Sequence, residues 1–260
     1  KDYLTTKKML AVDAPEYLEL AEGDKEALKH LVKAAVVLDK VNMQLDNPNN
    51  LPFKEYLEAE IAKGNEQAKL TKILFDAQKG VCSLDRESNM IELIKGVSER
   101  PGKGVYPQDL EKDEFHAILI KMLKDGKVDD VAKILNQRSV VERVGNELVA
   151  TDYVDKFKDD FAYMASELEK AAETSTNADF NEFLILQAKA LRTADPMLDA
   201  YADKKWATLQ DTPLEFTITR ENYSDELTET VVENPELKAL LDENGIIPVA
   251  KDFLGGRVGI

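Results

Sequence analysis

The chain has 260 residues, with 34 Lys plus Arg against 50 Asp plus Glu, and so a formal net charge of −16. That length suits one large domain or two modest ones; at 43% hydrophobic and 32% charged residues the chain is too apolar for a disordered tail, and it lacks the roughly 20 uncharged residues in a row that a bilayer span requires. Acid spread over the whole length repels nucleic-acid phosphates and anionic lipid, so neither nucleic acid nor a membrane is an expected partner.

Taken in chain order, most of the pattern is amphipathic helix. From Asp24, a candidate N-cap, Leu28, Leu31, Ala35, Leu38, Val41 and Leu45 recur every three or four residues until Asn47-Pro48 stops the run. Further helices are expected at about 54–63, 66–79, 109–124 and 128–136. Val140-Val141-Glu142-Arg143-Val144 and Glu147-Leu148-Val149-Ala150 flank Gly145-Asn146 as a β-hairpin would. From Asp152, Tyr153, Phe157, Phe161, Met164, Leu168 and Ala171 form one stripe. Phe180, Phe183, Leu184, Gln187, Ala188 and Leu191 form the next, and the short polar stretch between them predicts an antiparallel pair. A helix over about 197–209 precedes Leu214, Phe216 and Ile218, which alternate with polar residues as in a half-buried strand. A short helix near Pro235–Glu243 follows, and Gly245–Pro248 and Gly256–Ile260 read as extended. An isolated terminal strand leaves its edge unpaired, which raises the expectation that the native polypeptide continues past Ile260.

The fold class expected is therefore mainly α (α+β): one multi-helical lobe over 1–260, predominantly helical to 210, with a hairpin near 139–150 and a β-containing subregion over 211–260.

Several chemistries find no support. A zinc hydrolase needs imidazoles or thiolates at fixed spacing, whereas this chain has His30, His116 and Cys82, with no paired-histidine helix motif. Both histidines are expected on helix flanks and Cys82 as a small buried hydrophobe, unable to form an intrachain disulfide. Gly102-Lys103-Gly104, bracketed by Pro101 and Pro107, reads as a turn because phosphate loops place Lys-Ser/Thr at a helix start. Asp125–Asp130 lacks the alternating ligands of a calcium loop. Glu221-Asn222-Tyr223-Ser224-Asp225 stands apart: it leaves a predicted strand where loops carry function, and it gathers two carboxylates, an amide and a phenol.

The order of several segments resembles the dipeptidyl peptidase III family of zinc metallopeptidases. Leu31–Asp39, with its Ala-Ala pair, is similar to an early family helix. Asp85-Arg86, Pro101–Pro107 and the acidic stretch Glu111–Phe115 resemble a family run in which Asp-Arg precedes a Pro-x-Gly segment ending in Tyr-Pro. The hairpin with Tyr153 after it, Trp206, the strand Leu214–Thr219 and Glu221–Leu227 complete the series, the last resembling a Glu-x-Tyr-x-Asp element. Two departures stand out: Thr219-Arg220 precedes the Glu in place of a Gly-Pro-containing segment, and Gly80–Leu84 replaces an aromatic-rich glycine turn.

What the resemblance implies is an N-terminal, substrate-holding lobe. Glu221 and Tyr223, with Asp225, would hold the free amino end of an oligopeptide, the carboxylate pairing the ammonium and the phenol adding a hydrogen bond. The family's zinc ligands belong to another lobe, so no catalytic residue, cofactor or metal is assigned to this chain, and zinc is expected in the full-length protein with a missing C-terminal catalytic lobe as partner. The chain alone is not expected to be active. A non-catalytic peptide-binding or interaction module is the alternative, and a helical scaffold binding basic partners through its acidic face is a third reading. Cytoplasmic residence is favoured, with a processed secreted or periplasmic form left open.

Overall fold

The computed structural model describes residues 11–85, 87–193, 195–221 and 225–260, with Glu221 described in its backbone only. In chain order these are helices α1 (Pro15–Leu18), α2 (Glu22–Asp46), α3 (Asn50–Ala62) and α4 (Glu66–Gln78), strands β1 (Cys82–Leu84) and β2 (Met90–Glu92), then α5 (Lys112–Lys124) and α6 (Val128–Ile134). Strands β3 (Ser139–Val144) and β4 (Glu147–Asp152) lead into α7 (Tyr153–Lys156), α8 (Lys158–Thr174), α9 (Ala178–Leu191) and α10 (Pro196–Trp206). The chain closes with β5 (Glu215–Glu221), α11 (Glu226–Thr230), a 3-10 turn (Val231–Glu233), α12 (Pro235–Glu243) and β6 (Phe253–Gly259). The fold is mainly helical, with strand pairs β1–β2, β3–β4 and β5–β6 among the described residues. No helix of the described residues is long and apolar enough to cross a membrane.

Two compact units divide the chain, and each is assembled from separated segments. Residues 42–151 and 222–253 fall in the first, and 11–41, 152–221 and 254–260 in the second. Because the segments interleave, no linker composition marks a boundary.

In the first unit, α3 and α4 pack on each other around Met43, Leu57, Ala68, Phe75 and Val81. Each of these side chains other than Ala68 contributes about 1.5–3 kcal/mol by leaving water. A polar knot locks this cluster. The buried Asn50 donates through Nδ2 to the Met43 carbonyl (3.1 Å) and to Asp46 Oδ2 (3.2 Å), and its Oδ1 accepts from the Val81 N–H at 2.8 Å. The Asn47-Pro48 stop is an Asx-turn, with Asn47 Oδ1 accepting from the Asn49 N–H at 2.9 Å. The β1–β2 hairpin, registered Ser83 opposite Ile91, has no strong period-2 signal; Asp85 holds its turn by accepting the N–H groups of Glu87 and Asn89. The other half of this unit sets α5, α6, α11 and α12 around Phe115, Leu119, Ile134, Leu237 and Leu241. Between β3 and β4, Gly145 adopts φ +61, the left-handed position that a Gly-first hairpin turn demands.

In the second unit α8 packs on α9 and α9 on α10, burying Phe161, Leu168, Phe183 and Leu184. The predicted stripe at 152–171 is two helices and not one, because Phe157 sits at φ −112, ψ 31 between α7 and α8. Asn177 and Asp195 cap α9 and α10, accepting from the N–H groups of Phe180 (3.0 Å) and Met197 (2.9 Å). Asp24 is not the cap of α2, which begins at Glu22. Its buried carboxylate instead receives Thr176 N–H (2.8 Å) and Oγ–H (2.7 Å), a partner 152 residues away that local pattern does not reveal. Glu167 is also buried, and His30 Nδ1 (2.6 Å) and Lys170 Nζ (2.6 Å) converge on it, with Lys33 at 3.7 Å. Burial raises the pKa of this carboxyl, but the hydrogen bonds and the Lys170 charge outweigh burial and hold it below the usual 4.5. Strand β6 is not isolated: it pairs with β5, whose Phe216 and Ile218 point inward as the alternation predicts.

Gly102-Lys103-Gly104 forms turns as expected, and Gly104 has a packing reason. A Cβ there would meet the Gln44 carbonyl oxygen at 2.1 Å and that of Leu45 at 2.8 Å, both backbone atoms that cannot swing aside. Gly104→Ala should therefore destabilise by about 2–3 kcal/mol in urea unfolding, against about 1 kcal/mol for Gly64→Ala, where only an unfavourable φ is at stake. Glu167→Gln should cost about 1–2 kcal/mol at neutral pH. Since the folded-state pKa lies below 4.5, that difference should persist above pH 4.5 and vanish as pH falls through the folded-state value, read as melting temperature against pH.

Candidate functional site

The segment 221–225 leaves the end of β5. Glu221 closes that strand in its backbone, whereas its side chain, together with Asn222, Tyr223 and Ser224, lies outside the described residues, as does Arg86 of the Asp-Arg pair. Asp225, the third predicted site residue, is described and fully buried. Its Oδ1 accepts the Thr228 N–H at 2.6 Å and so caps α11. Its Oδ2 accepts the Lys251 N–H at 2.8 Å. Burial pushes this carboxyl up from its usual range, and the N–H groups of Thr228 and Lys251 pull in the opposite direction without overcoming it.

Lys251 is the residue that sequence reading missed. It is completely buried, and its ammonium donates to the Ile134 carbonyl (2.6 Å), the Asn136 carbonyl (2.7 Å) and Ser139 Oγ (2.7 Å). The ammonium lies 5.1 Å from the Tyr106 ring centre, and Tyr106 Oη is 2.6 Å from Thr228 Oγ1. Around it the backbone is stitched: Val249 N–H to Leu135 O (3.1 Å), Asp252 N–H to Gln137 O (2.8 Å) and Glu226 N–H to Pro101 O (3.0 Å). Arg138 Nε also meets Asp252 Oδ2 at 3.1 Å. The signal available in sequence was only a Lys-Asp pair inside an otherwise apolar stretch, Val249–Phe253, and a surface lysine is the ordinary reading of that.

Chemically, the cluster holds structure and does not make or break bonds. Ser139 and Lys251 are at the spacing of a serine–lysine nucleophile pair. Yet both are fully buried, the Ser139 hydroxyl is also 2.7 Å from the Lys133 carbonyl, and the ammonium spends its protons on carbonyl oxygens. A substrate has no approach to either group. Cys82 is half-buried; burial, then Asp46 and Glu99, raise its thiol pKa, the reverse of an activated nucleophile. His116, expected on a helix flank, is buried instead, with Nε2 3.0 Å from Thr230 Oγ1, and burial lowers its pKa. With His30 committed to Glu167, the imidazoles and carboxylates of the described residues form no group of three or more that could hold a metal ion, so a zinc site does not fit them.

Asp225→Ala would leave two buried N–H groups without an acceptor and remove a helix cap. The expected loss is about 2–4 kcal/mol, with Asp225→Asn losing roughly half of that because one acceptor oxygen remains. Urea unfolding of the two variants checks the ranking.

No protein-family model and no curated protein sequence matches this chain significantly. Its fold does match solved structures. The structure of DPP III from Caldithrix abyssi is 22% identical and superposes with a TM-score of 0.70 over 92% of this chain and 40% of that one. Dipeptidyl-peptidase III from Corallococcus sp. strain EGB is 17% identical, with a TM-score of 0.70 over 99% of this chain and 42% of that one. The chain thus has the fold of a portion of two bacterial dipeptidyl-peptidase III structures, and spans about two-fifths of their length.

Proposed function

We propose that this chain is the peptide-holding part of a dipeptidyl-peptidase III-like hydrolase, in which Glu221 and Tyr223 grip the free amino end of an oligopeptide. The observation that carries this reading is the fold likeness, which takes in 92–99% of this chain but only 40–42% of each peptidase. The hydrolytic centre, and the zinc that such an enzyme would use, belong in this reading to a catalytic lobe outside the present sequence. What this chain contributes is recognition. A carboxylate at 221 pairs with the substrate ammonium, a phenol at 223 supplies a further hydrogen bond, and together they count residues from the amino terminus. Asp225, the third residue predicted for the site, is buried with its two oxygens engaged by the N–H groups of Thr228 and Lys251, so in this reading it is a structural neighbour of the pair in sequence and not a third hand on the peptide. The acid excess of 50 against 34 basic residues favours approach of a positive peptide terminus over a negative one.

Calorimetric titration of the 260-residue chain with an oligopeptide and its N-acetylated counterpart tests the reading. The free amine should bind at least about tenfold more tightly, and Glu221→Gln and Tyr223→Phe should each erase most of that preference, as expected for a charge-assisted hydrogen bond of about 1.5–3 kcal/mol. Equal binding of the two peptides overturns it. So does hydrolysis of a dipeptidyl substrate by this chain alone, with or without added zinc. Binding that collapses with salt and ignores both substitutions would point to the acidic surface instead.

A further inference from the structure

Helix α11 has five residues and the 3-10 turn after it three, too few to persist without tertiary contacts. Those contacts come largely from α5 and the stretch before it. Leu227 and Val231 are buried, Lys112 of α5 is paired with Glu233, and Thr228 Oγ1 lies 2.6 Å from Tyr106 Oη, whose ring packs edge-on against Phe115 of α5. His116 secures the far end of α11. Only 4% exposed, it brings Nε2 to 3.0 Å from Thr230 Oγ1. The Thr230 hydroxyl already spends its proton on the Leu227 carbonyl at 2.9 Å, so it accepts from the ring, and Nε2 carries the hydrogen of a neutral imidazole. A glutamine would supply the same donor. What the imidazole adds is a charge that switches on in mildly acid solution, and here it would switch on at a site closed to water.

We propose that His116 is an acid-sensitive latch between α5 and α11: the neutral ring holds α11 and the 3-10 turn in place, and a second proton, taken on Nδ1, releases them so that the imidazolium reaches water. The groups around the ring set the balance. Burial disfavours the charged form most, Lys112 one turn back on α5 adds to that, and Asp113 of α5 and Glu233 of the 3-10 turn oppose both without prevailing, so the ring titrates below its usual 6.5. Helix α11 presents a hydroxyl to the ring, and α12, also packed on α5, spends Glu236 on Lys124. With its folded-state value below the unfolded one, the latch contributes in full above about pH 6.5 and loses that contribution as pH falls through the folded-state value. At the other end of α11 the buried Asp225 also takes up a proton on acidification, and a non-titrating residue at 116 separates the two. The latch requires no role of Glu221 or Tyr223.

Hydrogen exchange of the 260-residue chain between about pH 7.5 and 4, corrected for intrinsic rates, tests the latch at two amides: Thr228, held by Asp225, and Val231, held by the Thr228 carbonyl. In the wild type their protection should fall on the order of tenfold once pH drops below about 6.5, and should level off when the His116 ring, followed by NMR, has charged. His116→Gln keeps a donor for Thr230 and cannot charge, so its protection at both amides should stay level through the same range. Wild-type protection that does not change overturns the proposal. So does a fall that His116→Gln leaves intact, because Asp225 or a general loss of stability in acid then accounts for it. An equal fall across α8 and α9, which carry no histidine, likewise marks global unfolding and overturns the latch. Should His116→Gln fail to fold, the wild type decides alone: a fall that ends as the ring finishes charging supports the latch, and one that continues beyond that point overturns it.

Discussion

A charge taken out of water has to be met on every side, and the first unit of this protein is arranged around that requirement at Lys251. The ammonium offers three protons, and the connection between α6 and β3 bends so that two carbonyls and the Ser139 hydroxyl all face it. Once those oxygens converge, the chain at 249–252 has little freedom. Val249 and Asp252 donate to carbonyls of that same connection, and Lys251 presents its own N–H to Asp225. Removing the charge while keeping the volume would leave the hydrophobic contacts of Phe115, Ile134 and Leu237 intact, yet three oxygens, two of them in buried bonds, would each lose a donor. Burial of apolar surface supplies most of the driving force here; the polar series decides which arrangement of the loops is the one that forms.

The second unit meets the same constraint with the opposite sign. Glu167 and Asp24 are carboxylates inside a helical packing, and each is satisfied by a group far away in sequence: Glu167 by His30, with Lys170 one turn along its own helix, and Asp24 by the backbone and side chain of Thr176. Both tie α2 to the α8–α9 pair. The difference in surroundings matters for chemistry. The His30 hydrogen bond and then Lys170 hold the Glu167 carboxyl low against its burial, whereas burial of Asp225, which meets mainly backbone N–H groups, pushes that carboxyl the other way.

Much of the helical scaffold is legible in the residue pattern. The stripe Leu28, Leu31, Leu38, Val41 and Leu45 is buried as its spacing requires, as are Phe161, Met164, Leu168, Phe180 and Phe183. The hairpin around Gly145 is readable because a two-residue turn of that composition has few alternatives. Where pattern misled at Asp24 and His116, a long-range partner was responsible, while the break at Phe157 is a local change of backbone angles. Asp24 looked like a local cap and is claimed by Thr176, the helix after Asp152 breaks at Phe157, and His116 looked like a flank residue and packs inside against Thr230. The short β1–β2 pair carries too few residues to establish a period. Of the candidate site, Asp225 was picked out as part of the polar run 221–225 and, through the family resemblance, as a residue that would hold the peptide amine; its role as cap of the short helix α11, and Lys251 beside it, were not legible.

The sequence alone therefore determined the helical class, the stripes that form the core, the turn at 145–146 and the unusual polar run at 221–225, because each depends on residues within a few positions of one another. Only the tertiary structure decided that Asp225 is an anchor with both oxygens engaged, that Lys251 is its buried partner, and that the chain divides into two interleaved units. Apart from the cap bond of Asp225 to Thr228, three residues on, the contacts of Asp225 and Lys251 join groups 26 to 117 residues apart, whose partners are chosen by desolvation after the helices pack, a choice that no local periodicity encodes.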